Sequence, residues 1–335
     1  VTDPVITIPE YARIGVNLAS PRLGSRAVLA SDEFFAAKER MLQDTEPVFI
    51  ADKYDDNGKW MDGWESRRRR DGGNDWCLVR LGVAGFIHGV DIDTRHFTGN
   101  HPPAASLKAC RSDSQPDEAT EWSEILPAFG LDPNARNFAE ISNQGPWNWL
   151  RLDIMPDGGV ARLRVYGRPH LDWSKMDAGA VHELSALKNG GRVVAYNDAH
   201  YGDVWAVLSD GRGVNMGDGW ETRRRREPGN DWMIIALGAP GAVEAIEVDT
   251  AHFKGNYPDR CSVQAARVVN ATDAALIEQS INWDTLMEEQ PLSADSIHRF
   301  EGDAIAGLGA VSHVRLNIHP DGGVSRFRVF GKPSL

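Results

Sequence analysis

Two stretches of this sequence hold acids, bases and amides at spacings suited to chemistry, and each occurs twice. Asp93-Thr94-Arg95-His96-Phe97-Thr98-Gly99-Asn100 is answered by Asp249-Thr250-Ala251-His252-Phe253-Lys254-Gly255-Asn256. Imidazole is the side chain best suited to moving a proton near neutral pH, so His96 and His252 are candidates for proton transfer. Asp93 and Asp249 are the carboxylates that would orient them. In a straight strand an odd separation sends Asp93 and His96 to opposite faces, so they meet only if the chain bends at Thr94. The alternative is a structural histidine whose ring is bonded to a backbone carbonyl, and the residues alone leave both readings open.

The second stretch reads Asp62-Gly63-Trp64-Glu65-Ser66, four arginines from Arg67 to Arg70, then Asn74-Asp75-Trp76, and recurs from Asp218 to Trp232. A guanidinium offers two parallel donors that match a carboxylate, so Arg67, Arg69, Arg223 and Arg225 are candidates for gripping an anionic substrate. Glu65 and Glu221 are candidate catalytic carboxylates, and Asn74, Asn230, Asn100 and Asn256 are amides able to bond a polar ligand. If Trp220 to Arg226 is extended, Glu221, Arg223 and Arg225 share one face and Trp220, Thr222, Arg224 and Arg226 the other. The competing reading is an arginine–carboxylate lattice that fixes loops. It suits most of these arginines, since substrate binding needs only one or two. Trp64, Trp76, Trp220 and Trp232 read as packing anchors, with a sugar-stacking platform as the rival.

No His-Glu-x-x-His or paired-cysteine spacing marks a metal site, and Cys77, Cys110 and Cys261 are scattered as buried thiols would be. No cofactor is evident, and a divalent-metal requirement is left open. A net charge of −12 opposes a broad phosphate-binding surface, so nucleic acid is not an expected partner. There is no apolar run of membrane-spanning length and no opening signal-like segment, which makes the cytoplasm the default compartment.

The elements that must position these residues follow from the repeat. Arg26 to Phe35 matches Arg192 to Tyr201, and Arg151 to Gly167 matches Arg315 to Gly331, so 335 residues divide into two homologous domains, 1–170 and 171–335. Leu78 to Leu81, Gly89 to Asp93, Arg151 to Met155 and Val160 to Tyr166 are short, alternating and bounded by turn residues, as half-buried strands are. Pro156-Asp157-Gly158-Gly159 and its copy at Pro320 to Gly323 predict a closing hairpin in each domain. Helices are expected only at Glu33 to Leu42, Asp117 to Leu126 and Ala271 to Leu286. This is the pattern of an all-β protein with a β-sandwich or jelly roll in each half.

The repeated Asp-Gly-Trp-Glu-(Ser/Thr)-Arg-Arg-Arg-Arg, Gly-Asn-Asp-Trp, Asp-Thr-x-His-Phe-x-Gly-Asn and Pro-Asp-Gly-Gly-Val-x-Arg-x-Arg-Val-(Tyr/Phe)-Gly resemble the allantoicase (allantoate amidinohydrolase) family over almost the whole chain. The resemblance implies two tandem jelly rolls akin to galactose-binding-like modules. It also implies a hydrolase of C–N bonds in linear amidines that converts allantoate to ureidoglycolate and urea in purine breakdown. Allantoate, a small carboxylate bearing two ureido groups, would then be the partner. A homo-oligomer is compatible with such an enzyme, though no residue demonstrates it. The rival reading is a non-catalytic tandem β-sandwich that binds carbohydrate or protein. The copies differ at Arg95/Ala251, Thr98/Lys254, His101/Tyr257, Glu33/Ala199 and Phe34/His200, so two sites would not be equivalent.

Overall fold

The structure, a computed structural model, describes residues 7–334. It divides into two compact units between His170 and Leu171. Each is built on an eight-stranded antiparallel arrangement whose centre is one long strand, Asp75–Asp93 in the first unit and Asp231–Asp249 in the second.

That strand serves both layers of a sandwich. Its first half pairs with Arg26–Ala30 and Trp147–Met155, beyond which lie Ala104–Cys110 and Ser123–Gly130. Its second half pairs with Arg162–Pro169 and Arg136–Glu140, and Val16–Asn17 adds to the far side of Arg162–Pro169. The register breaks around Gly85, where small residues let the strand turn from one layer into the other. Alternating side chains from both layers, among them Val79, Leu152, Leu107, Val90, Leu163 and Val165, meet in one buried core. The second unit repeats this arrangement with Arg192–Tyr196, Ala310–His319, Arg260–Ala266, Ile297–Glu301 and Arg326–Pro333. This is the jelly-roll sandwich that the alternation implies.

Two expectations need correction. Of Glu33 to Leu42 only Lys38–Leu42 coils, as a 3-10 helix. Asp117 to Leu126 contains a turn, in which the Asp117 carboxylate accepts from the Ala119 amide, and then the start of the strand Ser123–Gly130. Ala271 to Leu286 gives a short helix, Asp273–Gln279, capped by Thr272, and a 3-10 turn, Ser280–Asn282, before the chain enters a strand on Arg260–Ala266 at Asp284. Pairing to an open sheet edge overrides the local helical pattern. The closing hairpin is also absent. Trp147–Met155 and Arg162–Pro169 bond to opposite halves of the long strand, so Pro156 to Gly159 carries the chain between layers. Both copies of this turn contain a cis X–Pro bond.

Candidate functional site

The repeated words of the sequence prove to be partners of one another. Asp218, which opens the arginine word, receives the fully buried Arg326 guanidinium at 2.9 Å, and Asp62 receives Arg162 at 2.8 Å. Trp220 is wholly buried, and its indole N–H donates to the Asp198 carbonyl at 2.8 Å, as Trp64 does to Asp32. The backbone N–H of Arg225 donates to Asp321 of the Pro-Asp-Gly-Gly turn at 2.9 Å, and that of Arg69 to Asp157 at 2.7 Å. The turn itself lies flat on an aromatic ring. A Cβ added to Gly323 would fall 2.1 Å from Phe253, so this glycine is required for the close approach.

Strapped together, these segments enclose a cleft of about 660 Å³ on the second unit, lined by His200, Glu221, Arg223 to Arg225, Asn256, Tyr257 and Asp321. Glu221 lies on its wall and accepts from the Asn256 side-chain amide. In the first unit Asn100 donates to Glu65 at 2.6 Å, and burial, partly offset by that bond, pushes the Glu65 carboxyl above its ordinary range. So the structure brings Glu65 to Asn100 and Glu221 to Asn256, two pairs that are distant in sequence.

The candidate arginines are mostly engaged. Arg223 grips Asp198 at 2.8 Å and Arg67 grips Asp32 at 2.6 Å. Burial pushes both aspartates up, but the hydrogen bonds from these arginines outweigh it and hold the carboxyls below their usual range. Arg225 holds Asp231, and Arg69 holds Asp71 and Asp75. The expected alternation lasts only through Thr222, because the chain leaves strand geometry after Trp220–Glu221. Arg224 lines the cleft, and its side chain makes no ion pair or hydrogen bond among the described residues.

The Asp–His pairs do not form. His96 and His252 occupy left-handed turns at φ 71° and 70°, which swing their rings away from Asp93 and Asp249. Their Nε2 atoms donate to the Pro47 and Gly213 carbonyls at 3.0 and 2.7 Å. Asp93 is spent on Arg95 and Arg164, and Asp249 on Arg212 and the Ala251 amide. Asn74 bonds Asp153 and Asn230 bonds Asn317, both within the sheet framework. Neither His252 nor Asn230 lines the second-unit cleft. Among the described residues no three His, Cys, Asp or Glu side chains group as a metal site.

The profile described as "Allantoicase repeat" matches residues 16–170 and again 182–334. The chain belongs to the allantoicase family. A probable allantoicase 2 of Burkholderia pseudomallei is 56% identical over 99% of this chain and 98% of its own length. A probable allantoicase of Pseudomonas aeruginosa is 54% identical, with 96% of each covered. The crystal structure of allantoicase from Saccharomyces cerevisiae aligns with a TM-score of 0.79 at 35% identity, covering 95% of this chain and 93% of that one.

Within this allantoicase architecture, three cleft residues escape a reading based on the shared words: Arg224, His200 and Tyr257. The last two differ between copies, as Phe34/His200 and His101/Tyr257, and that divergence is the signal that marks them. Arg68, the counterpart of Arg224, sits 3.5 Å from Asp157, so the two allantoicase repeats also differ in how freely this arginine meets a ligand.

Proposed function

We propose that the second-repeat cleft is where this chain hydrolyses allantoate to ureidoglycolate and urea. The observation that carries this reading is a carboxylate, Glu221, held by Asn256 on the wall of a cleft whose lining includes an arginine without a protein partner, Arg224. An unpaired guanidinium is suited to bind the substrate carboxylate through two hydrogen bonds. Arg223 and Arg225, neutralised by Asp198 and Asp231, shape the wall instead.

In the reaction the bond from the central carbon to one ureido nitrogen breaks, with its electron pair leaving on nitrogen. That nitrogen takes a proton and departs as neutral urea. Water supplies the hydroxyl on carbon, and its displaced proton passes to a base, a role this reading gives to Glu221. The proton inventory is the same whether water enters as urea leaves or adds afterwards to an imine-like intermediate.

Glu221→Gln and Arg224→Gln test the site by urea release from allantoate. We expect E221Q to lower kcat by about 100-fold or more, as loss of a general base does. R224Q should act mainly by raising KM. Unchanged kcat and KM in both folded variants would place the reaction elsewhere.

A further inference from the structure

We propose that His200 is the proton donor to the departing urea, which confines turnover to the second repeat; this rests on the cleft just described. His200 is exposed at the cleft, and its backbone N–H donates to the Glu221 carbonyl at 2.9 Å, which seats it beside the base. The ring packs edge-on against Tyr201, with centroids 4.3 Å apart. Among the described residues neither ring nitrogen makes a hydrogen bond, whereas the rings of His96 and His252 are committed to carbonyls. An imidazole held by its backbone and packed on one side, with its nitrogens free, can carry a proton to a ligand.

The first repeat has no such group on this edge. Its corner is one residue longer, since Ala36 pairs with Glu65 where Tyr201 pairs with Glu221. The side chains there are Phe34 and Phe35, with the Arg67 guanidinium 5.1 Å over the Phe34 ring. His101, where the second repeat has Tyr257, has its Nδ1 buried and without a partner.

Charge and atoms balance across the step. The His200 imidazolium gives one proton to the ureido nitrogen as the C–N bond breaks, and Glu221 takes one proton from the water that becomes the hydroxyl. Solvent exchange restores both groups.

The test compares His200→Gln, His200→Phe, His101→Gln and Glu221→Gln in the full chain, by steady-state urea release across pH. We expect both His200 variants to lose about 100-fold or more in kcat, with KM within a few-fold, and to lose one limb of the kcat–pH profile. H101Q should keep kcat and the full profile. If E221Q is impaired while H200Q keeps its kcat and both limbs, the donor assignment is overturned and the cleft stands. If E221Q and H200Q are both unimpaired, the cleft itself is overturned. A loss of kcat in H101Q would overturn confinement to the second repeat.

Discussion

At the scale of single residues, the molecule separates arginines that hold the protein from Arg224, which lines the cleft with no protein partner among the described residues. A guanidinium beside a buried carboxylate is satisfied, and asking it to bind substrate would strand its partner. The same logic applies to the Glu221–Asn256 pair, where the amide orients the carboxylate. Asn256→Asp would place a second negative charge there and Asn256→Ala would remove the bond, so both should lower kcat/KM for allantoate, by roughly 10-fold for Ala if the hydrogen bond contributes about 1–1.5 kcal/mol. Initial-rate kinetics would check this, with circular dichroism to confirm the fold. The acids, amides and arginines of this site are legible in sequence as types, because chemistry needs those types. Their partnerships are not, since Glu221 and Asn256 meet only through the fold. His200 stands outside the shared words, and only its mismatch with Phe34 points to it.

At the scale of elements, period-two alternation and turn residues reveal most strands, because a half-buried strand must alternate wherever it lies. They do not reveal which strands pair. Pro320 to Gly323 has every local property of a hairpin turn, yet its flanking strands bond to different halves of Asp231–Asp249. The helical expectation fails at Asp117 to Leu126 for a related reason: Ile125 and Leu126 are buried by the sheet they join. The turn's own demand can be measured. Gly323→Ala drives a methyl into the Phe253 ring, and overpacking of this kind costs roughly 1–3 kcal/mol. We expect a lower guanidinium midpoint for this variant, and a weaker Asp321 hold on Arg225 with it. Gly255→Ala, where an added Cβ meets nothing within 4 Å, is the control and should leave the midpoint nearly unchanged.

At the scale of the whole molecule, the two units share a plan and differ in their buried charges. Burial pushes the Glu183 carboxyl up to about 7, while its counterpart in the first unit is the neutral Asn17. The folded chain therefore binds this proton more tightly than the unfolded chain, whose carboxyl titrates near 4.3. Between these values the native state holds more protons, so this group makes stability fall as pH rises from about 4.3 towards about 7. Glu183→Gln should flatten that part of the Tm–pH curve, and thermal scans from pH 5 to 8 would show it; an unchanged slope would assign the dependence to other groups. The straps inside each unit carry a further consequence. Asp62 with Arg162, and Asp218 with Arg326, each tie a framework together within its own unit. After a duplication, scaffolds held by the same internal pairs leave the rim as the place where one copy can drift while its frame is kept. A phenylalanine edge and a histidine edge on the same foundation are what that freedom permits: one inherited building, two tenancies.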